Sequence, residues 1–137
     1  MDTYHVDCWT SLNPGKGGWQ TLKNGKVQDW KNYEDTHSNN YYELAAIHAA
    51  CFRASLEPNA SEIFSDSQIA IGWIHKDPKP TVMNRDELMV IIHLIRDILR
   101  TNKQITVKRW LTRKYGENPA DFGRKKRSRN QWVFRGQ

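Results

Sequence analysis

The sequence predicts one α/β domain on a mixed five-stranded sheet, part antiparallel hairpin and part parallel strands, flanked by helices. Three observations carry this expectation. Residues 18–22 and 26–30 are β-favouring runs on either side of Asn24-Gly25, and this pair tolerates the positive φ angles of a type I′ hairpin turn. Leu44, Ile47, Cys51 and Ala54 recur at three- and four-residue steps, the period of one buried helical stripe. Strand-like and helix-like runs then alternate through residues 61–111, and strand–helix–strand units join parallel strands by right-handed crossovers.

In chain order, residues 4–8 read as a short strand and Asn13-Pro14-Gly15-Lys16-Gly17-Gly18 as a loop leading into the hairpin. His37-Ser38-Asn39-Asn40 is a loop able to cap a helix that starts near Tyr41 and runs to about Ser55. Pro58-Asn59 ends that helix, 61–65 reads as a buried strand, and 67–74 as a short helix. Residues 77–80 hold two prolines and form a connector. Asn84 followed by Glu87 resembles a capping box, and Leu88, Ile91, Ile95 and Ile98 mark a helix to about Thr101. Residues 105–111 alternate like a strand, and after a loop a last helix starts near Pro119, since proline suits a first helical turn.

A chain of 137 residues is long enough for one domain and buries roughly two-thirds of its unfolded surface. Its 38% hydrophobic content, with six tryptophans, five tyrosines and four phenylalanines, supplies a core without a disulfide or metal staple. Collagen, low-complexity and disulfide-scaffold classes are excluded. The longest apolar stretch, 88–95, is interrupted by His93 and falls short of the about 20 residues of a membrane span. Residues 1–7 are too polar for a secretion signal, so a cytoplasmic, reducing location is expected, with Cys8 and Cys51 as thiols. The net charge of +6 favours an anionic partner such as nucleic acid, although charge alone also serves solubility. The expected boundaries are a folded domain over 1–123 and a basic tail over 124–137. In that tail Arg124-Lys125-Lys126-Arg127-Ser128-Arg129 places five positive charges in six residues. Trp132, Val133 and Phe134 follow as docking candidates.

The acidic residues fall at element ends. Asp7 lies in the first strand, Glu43 in the first turn of the first long helix, Asp66 just past the strand 61–65, and Asp121 in the first turn of the last helix. Open α/β sheets bind ligands at such strand ends. If the four carboxylates converge, their mutual repulsion calls for cations, and hard oxygen donors select Mg²⁺ or Mn²⁺. The same residues also suit solvated surfaces and helix N-termini.

Four motifs decide between these readings. Val6-Asp7-Cys8-Trp9-Thr10-Ser11-Leu12-Asn13-Pro14-Gly15-Lys16-Gly17-Gly18 resembles the opening of type 1 ribonuclease H. Ser38-Asn39-Asn40-Tyr41-Tyr42-Glu43-Leu44, Phe64-Ser65-Asp66-Ser67-Gln68 and Gly116-Glu117-Asn118-Pro119-Ala120-Asp121 resemble the next three motifs of that family, in the same order. The resemblance implies the RNase H-like fold and an endoribonuclease that cleaves the RNA strand of RNA–DNA hybrids with two Mg²⁺ or Mn²⁺ ions. Such ions activate the attacking water and stabilise the leaving oxygen. It implies Asp7, Glu43, Asp66 and Asp121 as catalytic metal ligands, and Asn13, Ser38, Asn39, Asn40 and Gln68 as substrate-binding residues. Side-chain amides meet 2′-hydroxyls as donor and acceptor, which separates RNA from DNA. The hybrid is the implied partner of a monomer with no membrane association. A non-cleaving hybrid- or RNA-binding module on the same fold is the alternative.

The chain also departs from the family. Cys8-Trp9 replaces the usual Gly-Ser, and Cys8 is expected to turn into the core. The segment before Asp121 is short and no histidine follows His93, so slower turnover is expected. The family's inserted basic helix is absent, and the tail is a candidate replacement. Glu117 and Asn118 share a helix face with Asp121 and stay open as alternatives for the fourth ligand, while the match to the family's spacing from Gly116 implies Asp121.

Overall fold

The computed structural model describes residues 1–121, so the basic tail and the expected role of Trp132, Val133 and Phe134 lie outside the described residues. Strand β1 (Asp2–Thr10) pairs antiparallel with β2 (Gly17–Lys23), which pairs antiparallel with β3 (Lys26–Asn32). Asn24 and Gly25 take φ of 50° and 87°, the left-handed pair that the hairpin turn requires. Helix α1 (Asn39–Ser55) crosses over to β4 (Ser61–Ser65), parallel to β1. Helices α2 (Gln68–His75) and α3 (Arg85–Thr101) lead to β5 (Ile105–Arg109), parallel to β4. The sheet order is β3-β2-β1-β4-β5. A one-turn helix α4 (Thr112–Tyr115) and a 3-10 turn (Pro119–Asp121) follow.

Side chains alternate across a strand, so Tyr4, Val6 and Cys8 share one face of β1. They meet the α1 stripe of Leu44, Ile47, Cys51 and Ala54, each of which is fully buried. Burying a leucine or isoleucine contributes about 1.5–3 kcal/mol, and Leu88, Ile92 and Ile95 extend this core by packing α3 on α1. No described helix is long and apolar enough to cross a membrane.

Several element boundaries differ from the sequence reading. β1 runs two residues further at each end than 4–8, because pairing to β2 and β4 continues past the β-favouring core. β5 stops at Arg109 rather than at residue 111, where the ladder to β4 ends. The expected capping box at α3 does not form. Asn84 sits at φ 56° with no side-chain cap, and Glu87 reaches away to His37 Nδ1 at 2.5 Å. His37 in turn stacks on Tyr41, with ring centroids 3.9 Å apart. The expected loop after β5 contains α4, and the element at Pro119 is a single 3-10 turn within the described residues.

Candidate active site

The site forms where β4 ends. Ser65 closes the strand and Asp66 follows it, and Trp110, the residue after β5, donates its backbone N–H to the Ser65 carbonyl at 2.7 Å. Asp7 lies inside β1, 2% exposed, and its Oδ1 accepts the Cys8 backbone N–H at 2.9 Å. Ser38 caps α1 by accepting the Tyr41 N–H at 3.2 Å, which starts the helix early enough to bring Glu43 in its second turn over the sheet. One oxygen from each of Asp7, Glu43 and Asp66 lies within 4.8 Å of the others.

Two donors hold Glu43, itself 5% exposed. The Cys8 thiol donates to Oε1 at 2.8 Å, and the Ser65 hydroxyl donates to Oε2 at 3.4 Å. Cys8 is therefore buried in the core as expected, but its sulfur faces the carboxylates. Ser65 was not singled out in the sequence. Its position directly before Asp66 on an inward-facing strand residue was the available signal.

Asp121 is 1% exposed and sits in the 3-10 turn, outside the three-carboxylate group. That turn is fastened to the strands around Asp7. Asn118 Nδ2 donates to the Val6 carbonyl at 2.8 Å, while its Oδ1 accepts the Ala120 N–H at 3.0 Å. Gln20, the β2 partner of Asp7, donates to the Ala120 carbonyl. Glu117 is exposed, and the Asn118 side chain is engaged in the fastening, so Asp121 is the buried carboxylate of the three alternatives.

An open depression of about 530 Å³ beside the carboxylates is lined by Asn39, Asn40, Glu43, Asp66, Ser67, Gln68, Ile69 and Thr112. It brings three of the expected substrate residues to the acidic group. Asn13 joins them indirectly, its Oδ1 accepting the Asn39 N–H at 2.9 Å. Ser38 stands at the cap one residue before Asn39.

A family model described as RNase H matches residues 2–108. The chain belongs to the RNase H family. The matched segment of this RNase H contains Asp7, Glu43 and Asp66 and stops short of Asp121. A ribonuclease H of Chlorobium luteolum is 33% identical over 81 residues, 54% of this chain and 55% of that protein. The chain thus spans about half the length of that relative. RNase H1 of the halophilic archaeon Halobacterium salinarum aligns with a TM-score of 0.65 at 17% identity, covering 87% of this chain and 92% of the other. LC11-RNase H1, solved in complex with an RNA/DNA hybrid, aligns with a TM-score of 0.63 at 15% identity, covering 86% and 91%. At such identities the structural likeness shows the fold.

Because Asn118 fastens the turn that carries Asp121, Asn118→Ala of this RNase H is expected to lose about 1–3 kcal/mol, the cost of leaving the buried Val6 carbonyl without its donor. Glu117→Ala is expected to stay within about 0.5 kcal/mol, as exposed substitutions do. Urea unfolding of both variants measures the difference, and equal midpoints would contradict the fastening role.

Proposed function

We propose that this RNase H is a divalent-metal-dependent endoribonuclease that hydrolyses the RNA strand of RNA–DNA hybrids. The observation that carries the reading is the convergence of Asp7, Glu43 and Asp66 to within 4.8 Å, two of them nearly buried. Three carboxylates at that spacing are all-oxygen, hard donors, which suits Mg²⁺ or Mn²⁺. Asp7, Glu43 and Asp66 would hold the metal, with Asp121 as a further ligand on the fastened turn. When bound, divalent ions would lower the pKa of a water and neutralise charge at the phosphorus and the leaving oxygen.

The remaining residues bind and orient. Asn13 spends its amide oxygen on Asn39, which leaves its Nδ2 hydrogens for a 2′-hydroxyl or base edge. Asn39, Asn40 and Gln68 line the depression and offer donors and acceptors there. The Ser38 hydroxyl accepts from Tyr41 and keeps its own hydrogen for a strand phosphate. The absence of a histidine after His93 leaves this chain without an imidazole at the last loop, and slow turnover follows.

The test is cleavage of an end-labelled RNA–DNA hybrid with Mg²⁺ or Mn²⁺, with single-stranded and duplex RNA as controls. The expected result is metal-dependent cleavage of the hybrid's RNA strand, abolished by chelation. Hybrid binding with no cleavage under any divalent metal would support a binding module instead.

Cys8 adds a prediction at this site. Residues that orient a metal ligand typically change affinity by about 10–100-fold when removed. Cys8→Ala removes the donor to Glu43 Oε1, and the Mg²⁺ concentration for half-maximal cleavage is expected to rise about tenfold. Cys8→Ser keeps a donor and is expected to stay within about threefold of the parent. Equal Mg²⁺ titrations for Cys8→Ala and the parent would show the thiol to be packing alone.

A further inference from the structure

A second depression, of about 420 Å³, is lined by Asp66, Arg109, Trp110, Leu111, Thr112 and Arg113. It shares Asp66 and Thr112 with the depression beside the carboxylates, so the two adjoin at these residues. Its floor is built. Trp110 is held by its backbone N–H on the Ser65 carbonyl at 2.7 Å and by its indole N–H on the Gly116 carbonyl at 2.9 Å. Its ring also lies 5.2 Å from that of Tyr115. These bonds tie the residues flanking α4 together and to the end of β4, next to Asp66.

The cations along this stretch divide into two kinds. Lys108 pairs with Glu62 across the β4–β5 ladder, and Lys114 lies over the Tyr115 ring at 5.3 Å from its centroid. Arg109 and Arg113 are exposed, both line the groove, and neither is in an ion pair among the described residues. Two guanidinium groups, one at the end of β5 and one on α4, thus line a groove with Asp66 and suit an anion. Their planar forks match phosphate oxygens in a bidentate fashion, whereas a carboxylate group alone repels a phosphodiester.

We infer that the groove of Arg109, Trp110 and Arg113 is a second substrate contact, which grips the backbone phosphates of the strand being cut as it passes Asp66. The inference rests on the hybrid-cleaving reading above. It names the cut strand because Asp66 borders both depressions, so the strand with a phosphate over Asp66 is the one that continues into the groove. In this RNase H the short segment between β5 and the 3-10 turn thereby supplies grip rather than proton transfer.

The experiment compares the parent, Arg109→Gln, Arg113→Gln and the double variant for binding of a fluorescent RNA–DNA hybrid without divalent metal across a KCl series, and for steady-state cleavage with Mg²⁺. Lys103→Gln makes the same charge change at the opposite end of β5 and serves as the control. The expected result is a Kd about 3–10-fold weaker for each single variant and a slope of log Kd against log salt reduced by about one per lost contact. KM rises with Kd, while kcat falls far less. Neutral methylphosphonate linkages placed singly along the RNA strand should reproduce the loss at one or two positions and add nothing in the double variant. An unchanged Kd and salt slope in the double variant, with the parent binding the hybrid normally, overturns the inference. So does a fall in kcat at unchanged Kd, which would assign the arginines to holding α4, and so does a loss seen only with DNA-strand linkages. Failure of the parent itself to bind or cleave the hybrid would instead overturn the functional reading, and this inference with it. Arg109→Lys with Arg113→Lys keeps the charge and guards against a folding artefact: it should recover the salt slope.

Discussion

Asp7→Asn and Asp66→Asn are each expected to lower hybrid cleavage by roughly 10²–10³-fold, the scale seen when one preorganised charge-stabilising group is removed from a reaction centre. The fold should survive. Asp7 Oδ1 accepts the Cys8 N–H, and an asparagine oxygen accepts it as well. Stability in a chelating buffer should rise. Like charges about 4 Å apart repel by about 4 kcal/mol at an effective dielectric of 20, and three carboxylates converge here within 4.8 Å. Asp66 is only half-buried, so solvent screening reduces the gain to roughly 1–2 kcal/mol. Thermal unfolding in EDTA and single-turnover cleavage in Mg²⁺ measure the two halves. Near-parental cleavage in either variant would refute the assignment of these carboxylates to the metal. Asp121→Asn should be milder, above all with Mn²⁺, because an amide oxygen still coordinates a hard ion and Asp121 stands outside the close group.

The second large effect concerns packing rather than charge. A Cβ on Gly17 would sit 2.3 Å from the Trp9 carbonyl and 2.7 Å from the Tyr42 ring. A Cβ on Gly18 would sit 2.2 Å from the Lys31 carbonyl. The Trp9 and Lys31 contacts are with backbone, which cannot swing away as a side-chain tip can. Gly17→Ala and Gly18→Ala are each expected to cost about 3 kcal/mol or more, the upper range for overpacking. That is a large share of a typical domain's stability of about 5–15 kcal/mol. Activity should fall with stability, because Gly17 and Gly18 pair with Thr10 and Trp9 on the strand that positions Asp7. Urea midpoints close to the parent in both variants would show that the β1–β2–β3 ladder adjusts more easily than this geometry implies.

The legible parts share a physical basis. The Asn24-Gly25 turn, the α1 stripe and β4 each depend on residues within a few positions of one another, so local pattern suffices. Asp7, Glu43 and Asp66 were legible as a set through motif order, although only Asp66 stands at the end of an element. The capping box at Asn84 misled for the same local reason: its glutamate had a better partner in His37, 50 positions away along the chain.

The sequence by itself determined the mixed α/β class, the hairpin and the buried face of α1, and it singled out Asp7, Glu43 and Asp66, which the fold brings together. Tertiary structure decided what surrounds them. It turned the Cys8 thiol onto Glu43 across 35 positions, and used Asn118 to fasten the last turn to Val6 across 112. It also placed the end of β5 and α4 beside Asp66, so that Arg109 and Arg113 share a groove with it. Contacts at such separations leave no period or spacing in a single sequence. They exist only once the sheet order β3-β2-β1-β4-β5 brings the strand ends together.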